Sequence, residues 1–500
     1  MSAAINQSSG QGALFELVAR GVKDTYFVKD SADSYFPYDA RYKSSIPHLP
    51  ERKTMIPING TRFGNTFEVE IESYGDILTE CALEIDLPTW LPPLPRLHAA
   101  DIPVSSEVVN GLYPITTSGS EDSYGYVNYV GYFLFEKIQF YQDQFLLQEW
   151  SGDGLLMKQL TEGSLDSSGL RLTHSNGLAS GNTARAIQLR ATPGHLRIIL
   201  PIPGTQCPED GGFPLICLPW QTFRIKATLR KLEDLVICSD TTKNKPAPWA
   251  VPSMHYTMAD RNTFVFAPKS IYDIGQPTIV LSTIQHYVSP ETQKELRDKK
   301  IEIPFRRQFE NLFTFGELDY IPLDKGGQAV VTRRLDGRHP TERVMWVFRN
   351  TNALENNRLD NFYNDYFTVF PPTAVQPYLD GEFYYRIKLV IAGKDREDLH
   401  DPHVWNSITQ WAKHERGTDV RIGSMMWSTG DDYGAVYPTK RSPEGTINFT
   451  TADRPTLFIE LANITTNPLL AQRKAEMHVV LEGWNNYIIE DNRGRLMFSN

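Results

Sequence analysis

The stretch Phe223-Arg224-Ile225-Lys226-Ala227-Thr228-Leu229 decides the fold, because its apolar and polar residues alternate without interruption. Successive side chains of a β-strand point to opposite faces, so a period of two buries one face of a sheet. The same alternation occurs upstream at Phe67–Ile71, and again at Leu83–Leu87. These segments predict antiparallel strands that each bury one face.

The alternation starts again in the second half of the chain. Four segments carry it: Val344–Phe348, Tyr385–Ile391, Leu457–Leu461 and Val479–Trp484. Between the two families of strands lies Thr241–Trp249, whose Pro and Lys content is typical of a linker. We therefore expect an N-terminal arm at 1–29, a first domain at 30–240, a linker at 241–260 and a second domain at 261–500. No close sequence repeat joins the two domains, so a duplication would be structural only.

Helix signals are few. Ser289-Pro290-Glu291 combines an N-cap hydroxyl, a proline at the first helical position and an acid in the first turn. Asp401-Pro402 is a second start, which predicts Val404, Ile408 and Trp411 on one helical face. Leucines at 155, 156 and 160 predict a third helix. Short helices among many strands favour an all-β architecture of two sandwiches with long loops.

The composition of the chain restricts the classes of function that it can have. The formal net charge of −10 argues against a large nucleic-acid footprint, which needs an excess of Lys and Arg. The four cysteines form no C-x-x-C pair, which favours buried free thiols and leaves open whether Cys207 and Cys217 pair. Residues Met1–Gly12 lack the features of a signal peptide, and no run of ~18 apolar residues predicts a membrane span.

The sequence predicts no catalytic site and no cofactor. The chain contains no phosphate-binding glycine loop, no H-E-x-x-H and no G-x-S-x-G. His400, His403 and His414 are the best metal candidate, but solvated residues at a helix entrance explain them better. Asp431 and Asp432 are adjacent in a turn-like stretch, which does not suit a shared substrate.

Two further patterns in the sequence have simpler explanations. Phe305-Arg306-Arg307-Gln308-Phe309 has the aromatic and basic residues that stack on single-stranded nucleic acid, although core phenylalanines with arginines at the rim explain it better. Glycosylation acceptor motifs begin at Asn59, Asn448 and Asn463. Their use requires passage through the secretory route, for which the sequence shows no signal.

The N-terminal stretch Gly12–Phe27 contains a cluster of apolar residues. Such a cluster near a chain terminus is ordered only when it packs against the rest of the chain or against a partner. This stretch resembles the amino-terminal signature of the major capsid proteins of large nucleocytoplasmic DNA viruses. Further phrases resemble that family in the same order along the chain: Tyr35–Tyr42, Phe63–Phe67, Gly75–Leu78, Phe213–Leu218, Ser442–Thr450 and Asn486–Asn500. Departures occur at Asp39-Ala40, at Cys217 and at Ile488–Asp491.

The resemblance implies two eight-stranded jelly rolls in tandem, a homotrimer of pseudo-hexagonal outline, and lateral contacts between trimers that tile an icosahedral shell. It places the chain in the virion, with assembly in the host cytoplasm and no direct contact with nucleic acid. The arm would bind minor capsid proteins or an internal membrane surface. The residues expected to do so are Leu14, Phe15, Leu17, Val18, Tyr26 and Phe27.

A carbohydrate-binding or carbohydrate-active jelly roll is the alternative, since such sandwiches also bind sugars. It needs exposed aromatic residues and clustered acids on one face. Trp405, Trp411 and Trp427 would supply the stacking surfaces, but the sequence contains no evident acid pair.

Overall fold

The structure of the chain is a computed structural model. It describes residues 48–88, 124–162, 193–206, 211–238, 253–260, 263–269, 275–316, 319, 330–350, 353–354, 357–362, 382–409, 421–427, 445–452, 454–461 and 475–498.

The described residues of the first part of the chain form mostly strands. In chain order they are β1 (His48–Met55), β2 (Thr66–Glu70), β3 (Ile77–Asp86), β4 (Tyr124–Tyr126), β5 (Phe135–Gln142), β6 (Phe145–Trp150), β7 (His195–Ile199), β8 (Phe223–Leu229), β9 (Val236–Cys238), β10 (Ser253–Asp260), β11 (Thr263–Lys269) and β12 (Thr278–Val288). Within the described ranges, three α-helices accompany these strands: α1 (Val130–Phe133), α2 (Gly152–Glu162) and α3 (Pro290–Asp298).

Eight of these strands form the first sandwich. One sheet has the order β1-β12-β3-β7, and the facing sheet has the order β2-β8-β5-β6. The alternating strand β8 buries Phe223, Ile225, Ala227 and Leu229 in the core between the sheets, as its period of two predicts. The remaining strands of this part form two small ribbons, β10-β11 and β4-β9.

The second sandwich repeats that plan. Its strands are β13 (Ile301–Phe315), β14 (Val330–Arg334), β15 (Pro340–Asn350), β16 (Tyr384–Ile391), β17 (Lys394–His400), β18 (Gly423–Met426), β19 (Ile447–Asn448), β20 (Thr456–Leu461), β21 (Ala475–Glu490) and β22 (Arg493–Leu496). One sheet is ordered β13-β21-β15-β18 and the other β14-β20-β16-β17. Short β19 pairs with β15, and β22 pairs with β21.

Counted along the chain, the eight main strands of each sandwich pair in the same order: first, eighth, third and sixth in one sheet; second, seventh, fourth and fifth in the other. The duplication expected from the two strand families is therefore present in the topology. The fold is all-β, with two jelly rolls in tandem.

The predicted domain boundaries need correction. Strand β12 lies at Thr278–Val288, inside the range assigned to the second domain, yet it pairs with β1 and β3 of the first sandwich. The range 241–260 assigned to a linker contains β10. The first sandwich ends only at Val288, since its last strand returns to lie beside its first; α3 then leads directly into β13.

Two of the three predicted helices are confirmed, and the apolar face predicted for the third is wrong. Helix α3 begins at Pro290, with Ser289 Oγ accepting from Thr292 N, and α2 covers the three predicted leucines. The helix at Asp401 forms, but its turn at Val404–Ile408 is π-helical. The wider turn buries Trp405 and leaves Ile408 exposed, so the predicted apolar face of Val404 and Ile408 is wrong.

Candidate functional site

The two sandwiches meet at a buried junction, made by the outer face of β13-β21-β15 on one side and by α2 and β6 on the other. Every residue of β15 from Thr341 onward is buried. Val344, Trp346 and Phe348 enter the core of the second sandwich, whereas Met345 and Val347 belong to the core of the first. Strand β15 is thus covered on both faces.

Arg349 at the end of β15 reaches α2 across this junction. Its guanidinium forms an ion pair with Asp153, and its Nε donates to Leu359 O at 2.7 Å. The two side chains are only 2% and 3% exposed. Burial alone raises the pKa of Asp153, but the charge of Arg349, aided by His478 and Arg230, holds that pKa well below its usual value.

A second buried ion-pair cluster, centred on Glu482, lies in the same junction as the Asp153–Arg349 pair. Glu482 of β21 is fully buried; Arg343 approaches it to 2.6 Å, and Lys158 of α2 approaches it to 3.4 Å from the other sandwich. Gln308 Nε2 also donates to its Oε1 at 3.0 Å. Burial opposes ionisation, but the three cations Arg343, Lys158 and Arg306 keep the pKa of Glu482 low.

Backbone groups complete the polar contacts. Gln148 of β6 donates to Arg306 O at 2.9 Å, and Arg306 N donates to Gln206 Oε1 at 2.8 Å. The Ser151 N–H at the start of α2 donates to Glu310 Oε1 at 2.8 Å. The first sandwich therefore satisfies polar groups of β13 that its own sheet partner does not reach.

Farther along the junction, the β21-β22 hairpin contacts the first sandwich. Gly494 N donates to Gln221 Oε1 at 2.9 Å, and Gln142 Nε2 donates to Gly494 O at 2.8 Å. Tyr487 OH donates to Gln142 Oε1 at 2.7 Å. A side chain at Gly494 would collide with the Tyr487 hydroxyl, so this close approach requires glycine.

These contacts explain the segment Phe305–Phe309. Phe305 is a core residue, as expected, but Arg306 and Arg307 are 7% and 5% exposed and do not lie at the rim. Arg306 Nε donates to Glu342 Oε2 at 2.7 Å, and burial together with Arg338 lowers the pKa of Arg307 to about 10. Buried arginines do not offer a stacking surface to nucleic acid.

The other residues that the sequence suggested as candidate sites do not belong to this junction. His400 packs edge-on against the buried Trp405, with ring centroids 5.3 Å apart. Within the described ranges, no three His, Cys, Asp or Glu side chains gather as a metal site would require. His414, Asp431 and Asp432 lie outside the described residues.

Two of the three tryptophans considered for sugar stacking are buried. Trp405 and Trp427 are buried in the second sandwich, and their Nε1 atoms donate to Ile387 O and to Glu397 Oε1. Trp411 lies outside the described residues. Trp405 and Trp427 therefore offer no stacking surface to a sugar.

Of the acceptor asparagines, Asn59 and Asn448 are exposed, and Asn463 lies outside the described residues. The arm residues Leu14, Phe15, Leu17, Val18, Tyr26 and Phe27 also lie outside them. Cys217 is a buried free thiol, as is Cys81. Among the described helices, none is long and apolar enough to cross a membrane.

The junction is not among the features expected from the sequence. Its signal is present in the run Val344–Phe348, where five apolar residues follow one another between Arg343 and Arg349. A continuous apolar run indicates a strand that is buried on both faces, whereas alternation indicates a strand that is buried on one face only. The charged partners Asp153 and Glu482 carry no local signal, since their cations come from distant parts of the chain.

Two sandwiches of one strand order, joined along a buried face, define the double jelly-roll class of fold. Solved structures share it over nearly the whole chain. A PBCV-1 virus capsid chain matches with a TM-score of 0.64 at 15% identity, covering 93% of this chain and 100% of that one. The Faustovirus major capsid protein matches with a TM-score of 0.57 at 12% identity, covering 94% of each chain. No protein-family model matches the sequence, and no curated protein is similar to it.

Proposed function

We propose that this chain is the major capsid protein of a large DNA virus, a structural subunit and not an enzyme. The observation that carries the proposal is the pair of jelly rolls joined by one buried junction, in a chain that spans the full length of a PBCV-1 capsid chain. Fold alone does not define function. The ordered sequence phrases add an independent reason, because they resemble the same class of protein.

The proposed activity is assembly. Three chains form a pseudo-hexagonal capsomer, and capsomers tile an icosahedral shell through heterologous lateral contacts. The buried junction supports this role, because it fixes two similar lobes in one orientation before assembly. A subunit with lobes free to rotate would lose that orientational freedom each time a lattice contact formed.

The N-terminal arm is proposed to act at the base of the capsomer. Its apolar residues between Leu14 and Phe27 would bind minor capsid proteins or an internal membrane surface. The virion is then the location of the protein, and the host cytoplasm the place of its assembly. Glycosylation at Asn59, Asn448 and Asn463 stays a prediction.

Light scattering on purified protein tests the first step. Three chains of 56.9 kDa each give a particle of about 171 kDa, and negative-stain images should show a six-sided outline. A stable monomer of 56.9 kDa under all assembly conditions would refute the proposal. Deleting residues 1–27 tests the arm separately: trimers are expected to persist while closed shells fail to form, and an unchanged yield of shells would contradict the assigned role.

A further inference from the structure

A basic cluster lies at one end of the second sandwich, where the connection between β14 and β15 crosses β21. Arg307 of β13 is 5% exposed and pairs with Gly483 of β21 across the ladder. A Cβ atom at Gly483 would lie only 2.9 Å from Arg338 O, so glycine at this position lets the connection approach the sheet closely. The close approach brings Arg338 to the same place as Arg307.

His339, the next residue of the connection, completes the cluster. Its ring contacts two phenylalanine rings, with centroids 5.5 Å from Phe309 and 5.6 Å from Phe498. The guanidinium carbon of Arg307 lies 5.5 Å from the centroid of the same Phe309 ring. His339 and Arg307 therefore share an aromatic neighbour, which fixes both side chains at one site.

The backbone of His339 has an unusual conformation. Its φ of 68° lies in the left-handed region, which residues with a Cβ atom rarely adopt. Hydrogen bonds hold it there: His339 N donates to Thr450 Oγ1 at 2.8 Å, and His339 O accepts from Phe449 N at 3.1 Å. Strained residues that their surroundings hold in place concentrate at functional sites.

The imidazole of His339 is buried without all of its hydrogen bonds. The residue is 4% exposed, and its Nε2 atom has no hydrogen-bond partner among the described residues. An unpaired buried polar atom is costly, so an orphaned atom in a native protein points to a bound water, ion or ligand. Its position beside two arginines favours an anion as the missing partner.

The electrostatics of the cluster agree with that choice. Burial, together with the charges of Arg307 and Arg338, lowers the pKa of His339 to about 4. Both pKa values, that of His339 and that of Arg307, are lowered because further positive charge is unfavourable at this place, and a bound anion offsets that charge. Arg338 is exposed, so solvent reaches the cluster on its side.

We propose that Arg307, Arg338 and His339 form a binding site for a phosphate-type oxyanion. A guanidinium group presents its N–H donors in a planar fork that matches two oxygens of a tetrahedral anion. The neutral imidazole adds one more donor in the tautomer that carries its proton on Nε2. A doubly charged phosphate balances the two arginines and offers enough oxygens for all three side chains. The site does not depend on the proposed assembly function.

Calorimetric titration of the full chain with inorganic phosphate tests the site, in a phosphate-free buffer at pH 7 and at constant ionic strength. One phosphate per chain should bind with a Kd of about 1 mM or lower. Arg338→Met should weaken binding by ~10-fold or more, and because Arg338 is exposed the variant should fold normally. Arg495→Met on β22, where the arginine side chain is 70% exposed, is the matched control and should stay within ~2-fold.

His339→Asn supplies a second variant. Asparagine tolerates the left-handed backbone better than most residues, so the change removes the imidazole with little added strain. It should also weaken phosphate binding by ~10-fold. Sulfate should compete with phosphate, because its oxygens form the same tetrahedron, whereas acetate at the same concentration should not.

Thermal unfolding gives an independent readout. Phosphate should raise the Tm of the unaltered protein and of Arg495→Met, and it should raise the Tm of Arg338→Met much less, because a ligand stabilises only the state that binds it. Two results would overturn the inference. One is the absence of saturable binding of phosphate and of sulfate up to ~50 mM, and the other is binding that both Arg338→Met and His339→Asn leave within ~2-fold. Neither result bears on the capsid proposal, since assembly is not what these titrations measure.

Discussion

Replacing Arg349 with methionine tests whether the junction holds the two sandwiches together. The substitution keeps a long side chain in the junction but leaves Asp153 buried without its principal partner. It also removes the guanidinium from the Phe133 ring, whose centroid is 5.4 Å away, and from the Phe362 ring at 5.1 Å. Breaking a buried pair in this way typically costs 3–5 kcal/mol, so we expect a loss of about 4 kcal/mol in the free energy of unfolding.

Arg386→Met is the matched control. Arg386 lies on β16, and its Nε approaches Glu460 Oε2 to 2.7 Å, but the arginine side chain is 44% exposed. Exposed pairs contribute little, so we expect a loss below about 1 kcal/mol. Urea unfolding of all variants at one chain concentration, followed by tryptophan fluorescence, gives the comparison.

A double variant separates loss of charge balance from loss of packing. Asp153→Leu with Arg349→Met removes both charges and leaves apolar side chains of similar size, so most of the lost stability should return. Two results would refute the reasoning. One is a loss in Arg349→Met no larger than in the Arg386→Met control, and the other is a double variant no more stable than Arg349→Met alone.

Three more predictions follow from the described contacts. The lowered pKa of Asp153 means that its contribution is complete above its unfolded pKa and declines as the pH falls from about 4 toward the lowered pKa, so the gap between the unfolding midpoints of the unaltered protein and Arg349→Met should narrow steadily as the pH falls below 4; a constant gap down to pH 2 would contradict this. Burial, opposed by Arg421, raises the pKa of Glu382 to about 7, so this group makes the protein more stable as the pH falls from 8 to 5. Glu382→Gln should flatten that dependence, and an unchanged slope would show that another group is responsible. A methyl group at Gly423 would overlap the Trp346 ring, so Gly423→Ala should cost about 1–3 kcal/mol in urea unfolding, and a neutral result would mean that the ring moves freely.

Local pattern predicted the parts of the fold that depend on neighbouring residues. Strand β8 alternates because each of its faces has a single environment, and α3 begins where a serine cap precedes a proline. Strand β12 shows the limit of this reasoning. Nothing near Thr278 indicates that its partners are β1 and β3, about 200 residues earlier in the chain, because pairing is decided by the closure of the sandwich.

The junction could be predicted only in part for the same reason. The apolar run Val344–Phe348 indicates a strand with two buried faces, but not what covers the second face. The ion pair between Asp153 and Arg349 joins residues 196 positions apart. A buried charge is tolerated only where folding delivers its partner, so the pair exists in the tertiary structure and nowhere in the local sequence.

The sequence by itself determined that the chain would form two families of half-buried strands, because side-chain alternation acts over two or three residues. Only the tertiary structure decided that the first sandwich extends to Val288, that β15 is covered on both sides, and that the two lobes share a buried face. Those features depend on free energies of contact between distant segments, which no short stretch of sequence contains.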